Sequence, residues 1–276
     1  MPAAGQWKAL VLAAGRGPDD PMARAFGARH KCLLEVGGAP MLARVVAALR
    51  EVPEIGEIVI TIDDAAAAAA AFPQGLPQGV RIVESADSAS ASVLRAMEEQ
   101  GVAPPLLVTT ADHALLRPEM VRHVLAGAEE SGADLAIALA RREVVLARHP
   151  RAARTWLPLG RDRVTSCNLF AVRTQKARKA IAFWRRAEKN RKRPWKIAAA
   201  FGPGALLRLA WLVLSGRGDA RAVLRMLSAR LGLAAAPVFM PWAEAAVDVD
   251  KPEDLELAKK ILAERGAGGS ADQGRR

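Results

Sequence analysis

Residues 7–49 read WKALVLAAGRGPDDPMARAFGARHKCLLEVGGAPMLARVVAAL. The apolar run 9–12 has the length and composition of a buried strand. It breaks at Ala13-Ala14-Gly15-Arg16-Gly17, where small residues let a ligand approach the backbone. Glycines there can adopt positive φ and present several N–H groups to one anion. After a polar loop come His30-Lys31, a short apolar strand that buries Cys32, Gly37-Gly38, and a helix with Pro40 at its first position. A strand, a phosphate-sized glycine turn and a lysine able to swing back onto it form a nucleotide-handling device. A Gly-x-Gly pair alone is an ordinary turn; the surrounding pattern gives it weight.

Working outward, strand and helix signals alternate. Ile55–Ile62 is a β-branched strand, and the alanine run 65–71 reads as a filler helix. A strand over 80–83 follows, then the serine cluster 85–92 leading into a helix through Gln100. Next come a strand Leu106–Thr110, a helix Pro118–Ser131, a strand over 135–140 and a strand over 163–172. This order predicts a mostly parallel sheet covered on both faces, a three-layer α/β/α fold. Ligands then sit at the carboxyl ends of the strands, where the glycine turn and the serines fall. Ser90 and Ser92 fit helix capping. Asp112 follows an apolar strand directly, a costly place for an unpaired carboxylate. Far along the chain, VDVDKPEDL places Asp248 and Asp250 on one face of a strand end. A helix over 253–263 follows, with Asp254 as its helix-start residue.

LAAG-x-G followed by HKCLLEVGG-x-PML resembles the signature of nucleotidyltransferases with the glycosyltransferase A-type, Rossmann-like fold. These include the MobA-like NTP transferases and the sugar-phosphate and polyol-phosphate cytidylyl- and uridylyltransferases. The resemblance implies transfer of NMP from an NTP to a phosphorylated small-molecule acceptor, with release of pyrophosphate. It implies that Leu12, Ala13, Ala14, Gly15 and Gly17 line the nucleotide, with Ser90 and Ser92 toward the base. Lys31 handles the phosphates, and Arg16, Arg24 and Arg29 are candidates to hold pyrophosphate. Asp112 would bind Mg²⁺ with Asp248 or Asp250, and Ser166 and Asn168 would meet the acceptor. Ala14 matches pyrimidine-using relatives, which favours CTP, then UTP. Two departures stand out: the loop between Gly17 and Lys31 is long, and His30 replaces the usual proline. A glycosyltransferase using a nucleotide-sugar, or a non-catalytic membrane or nucleic-acid adaptor, are the alternatives.

The 276 residues are 51% hydrophobic but only 4% aromatic, without tyrosine, so the core is aliphatic. No apolar leader precedes the first strand, and Cys32 and Cys167 fit no zinc or disulfide pattern, so a reducing cytoplasm is expected. The net charge of +11 is unevenly spread: residues 141–230 hold 23 Lys/Arg against four acids, and the rest is acidic. One region is built to meet a polyanion.

The expected division is a core of residues 1–172 and 233–265, a basic helical insertion 173–232, and a disordered tail 266–276. In the insertion, Ala177, Ile181 and Trp184 recur at helical spacing, Pro194 ends or bends that helix, and Asp219 caps another. It reads as a packed subdomain or as a surface lying on anionic lipid at the inner membrane face. Nucleic-acid binding ranks last, because no binding motif or stacking platform accompanies the charge.

Overall fold

The computed structural model describes residues 3–15, 20–150, 154–190, 202–215 and 218–273. The first strand, β1 (Trp7–Leu12), lies at the middle of the sheet. Trp7, Ala9 and Val11 enter the core on one face and Leu10 enters on the other, as strand alternation requires. After a short helix α1 (Pro21–Ala25) and a two-stranded ribbon, β2 (Glu35–Val36) and β3 (Ala39–Pro40), the chain descends through α2 (Met41–Arg50). Gly37 and Gly38 make the ribbon's two-residue turn with φ of 61° and 78°, which only glycine adopts easily.

The sheet continues through β4 (Ile55–Ile62), α3 (Ala65–Ala70), β5 (Val80–Glu84), α4 (Ala89–Glu99), β6 (Leu106–Thr110), α5 (Pro118–Ser131), β7 (Leu135–Arg141) and α6 (Arg142–Arg148). Then come β8 (Leu157–Leu159), β9 (Asp162–Val172), α7 (Arg178–Lys189), α8 (Pro203–Leu214), α9 (Ala220–Arg230), β10 (Ala235–Met240) and α10 (Pro252–Gln273). The strand order is β10-β7-β9-β6-β1-β4-β5, with β8 hairpinned onto β9. β9 runs antiparallel to both β6 and β7, while the other neighbours along this path are parallel. Helices α2, α3 and α5 cover one face; α4 and α7 cover the other. From β1 the chain goes to β4 on one side and β6 lies on the other, so a crevice opens beyond Leu12.

Three expectations need correcting. Cys32 is buried, but in one 3₁₀ turn, Lys31–Leu33, rather than on a strand. Pro40 is the N-cap of α2, one place before its first turn. The segment holding Asp248 and Asp250 pairs in no ladder. Its Val247 and Val249 are buried in a side cluster, and the Val249 N–H bonds the Asp112 carbonyl at 3.1 Å. The last strand is instead β10, an edge strand whose Pro237 suits a position without a second partner. Helix α10 runs from Pro252 to Gln273.

Helix α7 of the basic segment is seated on the sheet. Helix α7 lies antiparallel along α4: Arg178 pairs with Glu98 at one end and Ser90 bonds Glu188 at the other. Ala177 and Ile181 are buried, and Trp184 stacks on Phe170 of β9 with ring centroids 6.1 Å apart. Asp134, just before β7, fastens both ends of the segment, accepting from the Thr174 hydroxyl at 2.6 Å and the Ala234 N–H at 2.8 Å. Pro194 and Trp195 lie outside the described residues.

Candidate active site

The site forms where the ends of β1, β4 and β6 meet the 247–251 segment. The Ala13 N–H bonds the Thr61 carbonyl and the Ala111 N–H bonds the Leu12 carbonyl, both at 2.9 Å, so the glycine turn and the Asp112 connection leave the sheet side by side. The turn is braced by residues that the sequence did not advertise. Asp63, just past β4, accepts from the Gly15 N–H and contacts the His30 ring, each at 3.2 Å. On its other side, His30 Nδ1 accepts the Cys32 N–H at 3.2 Å, which assigns the ring proton to Nε2 and so to Asp63. His30 therefore does what a proline cannot: it caps the turn bearing Lys31 and ties it to the glycine loop. A Cβ on Gly15 would stand 2.9 Å from His30 Nε2, so a glycine is needed here.

Lys31 projects from this turn between two carboxylates. Its ammonium lies 2.7 Å from Asp112 Oδ2 and 2.7 Å from Asp250 Oδ1. Lys31 and Asp112 are 17% and 18% exposed in their side chains, whereas Asp250 is 58% exposed. Burial works against the ammonium, yet the two carboxylates outweigh it and hold its pKa above the ordinary lysine value. Burial would likewise raise the Asp250 pKa, but Lys31 brings it below the usual carboxylate value.

Asp248 is committed elsewhere. It accepts from Arg154 at 2.9 Å and from the Asn168 amide at 3.2 Å; Arg154 also reaches Asp254 at 3.0 Å. Burial pushes the Asp248 carboxyl up to about 6, with Arg154 opposing and Asp112 and Asp250 adding to the rise. Asn168 reaches it because β9 bulges: Ile137 pairs with Phe170 but Leu139 pairs with Ser166. The bulge puts Asn168 at a φ of 49°, a left-handed conformation that asparagine tolerates better than most residues. Ser166 accepts the Asn168 N–H at 3.4 Å. Ser166, Asn168, Arg154, Asp248 and Asp250 all line one open cavity of about 1090 Å³.

The structure thus brings Lys31, Asp112 and Asp250 together, and sets Asp248, Asn168 and Ser166 beside them. Ala13 is buried, Leu12 and Gly15 are half-buried and Ala14 is exposed. Arg16 and Gly17 lie outside the described residues. Arg24 stands exposed on α1, and Arg29 pairs with Asp64 at 2.9 Å. The two serines sit at the start of α4. Ser90 is fully buried and donates to Glu188. Ser92 bonds the Ala86 N–H at 2.9 Å and the Ser88 carbonyl at 3.0 Å, pinning the loop before α4, and Ser88 caps the helix. Both hydroxyls bond within the fold.

Divalent cations suit this donor set. Asp112 Oδ1 is buried and accepts no hydrogen bond, an arrangement that burial makes costly unless a cation or donor meets it. Among the described residues no three His, Cys, Asp or Glu side chains form a closed metal cage. Mg²⁺ needs none, since it takes one or two carboxylates together with substrate phosphates and water.

Comparison with known proteins bears on the family and the fold. The MobA-like NTP transferase domain matches residues 9–231. A solved structure described as a hypothetical transferase from Thermus thermophilus is 30% identical, with 92% of this chain and 100% of that one covered and a TM-score of 0.72. A 4-diphosphocytidyl-2C-methyl-D-erythritol synthase from Anaerococcus prevotii is 14% identical over 93% of this chain and 96% of that one, with a TM-score of 0.55. A CMP:2-keto-3-deoxy-manno-octonic acid synthetase complexed with CTP is 15% identical over 94% and 99%, with a TM-score of 0.56. The last two share the fold. No protein with a curated description matches.

Proposed function

The chain belongs to the MobA-like NTP transferase family and is a nucleotidyltransferase-type enzyme; we propose that it transfers CMP from CTP to a phosphorylated sugar, polyol or lipid-headgroup acceptor. The observation that carries this reading is the Lys31 ammonium held between Asp112 and Asp250 at the mouth of a glycine turn. An acceptor phosphate oxygen attacks the α-phosphorus in line. The new O–P bond forms as the α–β bridge breaks, and pyrophosphate departs. Catalysis is then mainly positioning and charge stabilisation. Lys31 takes charge that develops on the α-phosphate and the leaving group, and the backbone of the glycine turn supports it.

Asp112, through Oδ1, and Asp250 would hold Mg²⁺; Asp248 is the residue that Arg154 and Asn168 fix in place. Bound Mg²⁺ supplies neutralisation of the nucleotide phosphates. Ser166 and Asn168 line the cavity beside Asp250, where the acceptor would lie. Ala14 and two CTP-linked fold neighbours, one complexed with CTP and one named as a diphosphocytidyl synthase, support a pyrimidine nucleotide. A pyrophosphate-release screen of four NTPs against sugar and polyol phosphates tests the proposal; no release with any pair would reject it.

A second element of the proposal concerns segment 173–232, read as a basic unit that rests on anionic lipid. Among the described residues no helix is long and apolar enough to cross a membrane. On α8, however, Leu207 and Trp211 are 73% and 53% exposed, four residues apart on one face. An exposed apolar stripe within a strongly basic segment suits an interfacial helix.

A further inference from the structure

Three arginines from distant parts of the chain converge on a hollow of about 450 Å³, away from the cleft. Arg44 comes from α2, Arg117 is the N-cap of α5, and Arg265 lies on α10. Nε of Arg44 and Nε of Arg117 are buried and donate to nothing, and one buried Nη of Arg265 has only a long ion pair to Glu244. Burying such donors without an acceptor is unfavourable, and clustering three permanent cations adds like-charge repulsion. Burial holds the Arg265 pKa below its ordinary value; Arg117 and Arg44 add to the fall, and Glu244 opposes it.

Nearby groups relieve this only in part. Glu244 lies 3.6 Å from Arg265, beyond a good hydrogen bond, and Arg117 lies over the Trp242 ring at 5.5 Å. Glu51 lines the hollow but forms no ion pair among the described residues. Arg44, Arg117 and Arg265 all line the hollow, and guanidinium forks match the oxygens of a tetrahedral anion. The hollow shares no lining residue with the cleft cavity.

We propose that this hollow is a second anion site, in which Arg44, Arg117 and Arg265 hold a phosphate group. Ala114 and Leu116 also line it, and both belong to the connection that carries Asp112. A bound phosphate braces that connection from behind without touching the cleft. The site does not depend on which nucleotide or acceptor the cleft takes.

The test is calorimetric titration of inorganic phosphate, with glycerol 3-phosphate as a second arm, at ionic strength held constant with chloride. A Lys31→Ala background weakens phosphate binding in the cleft. Binding at one site is expected, with Tm rising in phosphate and not in matched chloride. Arg44→Gln and Arg265→Gln should each weaken binding at least tenfold. In phosphate-free buffer, Arg44→Gln should hold or raise Tm, because repulsion is relieved. Arg265→Lys keeps the charge but loses the fork, and should also weaken binding if either glutamine variant misfolds. Tighter binding of glycerol 3-phosphate would assign the site to phosphate esters; tighter binding of inorganic phosphate would assign it to the free ion. Unchanged affinity in the folded arginine variants, an equal Tm rise in chloride, or no binding in either arm would overturn the proposal.

Discussion

Lys31 and Asp250 stand 219 positions apart in the chain, and their charged atoms meet at 2.7 Å. The contact closes the site only because the Val249 N–H anchors this segment to the Asp112 connection. Asp250→Asn should therefore cut turnover a hundredfold or more while shifting Tm by only a few degrees, since Asp250 is exposed. Steady-state kinetics at saturating Mg²⁺ would check this, and a mild effect would remove Asp250 from the metal assignment.

Asp248 should behave differently. Its partners Arg154 and Asn168 give it a positioning role, so Asp248→Asn should raise the acceptor KM more than it lowers kcat. Arg154→Gln leaves a half-buried carboxylate without its charged partner and should cost about 1–3 kcal/mol of stability. Urea unfolding of both single variants and the double variant would show the coupling. Additive losses would mean that the pair does not act together.

Asp134 gives the pH dependence. Burial alone would raise its pKa, but the Thr174 hydroxyl, the Ala234 N–H and nearby Lys176 and Arg173 bring it below the ordinary value. A depressed folded pKa stabilises the fold above the unfolded carboxyl value near 4, and the stabilisation fades as pH falls through the folded value. Asp134→Ala should cost roughly 2 kcal/mol at pH 7 through its two hydrogen bonds. The gap between wild type and variant should shrink near pH 3. A gap that does not depend on pH would point to packing instead.

Leu207 and Trp211 test the lipid reading of the basic segment. Wild-type protein should co-sediment with vesicles containing anionic lipid and leave neutral ones in the supernatant. About 0.5 M salt should release it, because screening then shortens electrostatic reach to a few ångströms. The double variant Leu207→Gln, Trp211→Gln should bind at least several-fold more weakly. Equal binding to neutral vesicles would contradict an electrostatic attachment.

The parallel core was legible because its strands are mostly apolar and β-branched: Ile55–Ile62 and Leu106–Thr110 match the structure end to end, as does the helix Pro118–Ser131. β10 was hidden because Ala235, Ala236 and Pro237 dilute any strand pattern. The alternating VDVD segment looked like a strand, yet its two valines are buried without a ladder. In the site, Lys31 and Asp112 stood out by their place after a glycine turn and a strand. Asp63 and Arg154 gave no signal, since a single polar residue in a loop shows its role only once distant segments meet. The serines were ambiguous in the sequence because the same residues that can greet a base also cap helices and pin loops.

The most direct test of the central claim is pyrophosphate release by Lys31→Ala beside wild type, with CTP, Mg²⁺ and the acceptor identified by the screen. Removing one charge-stabilising donor of this kind costs about a hundred- to a thousandfold in turnover. The account predicts a loss of that size in a folded variant that still binds nucleotide. Turnover within a few-fold of wild type would contradict it.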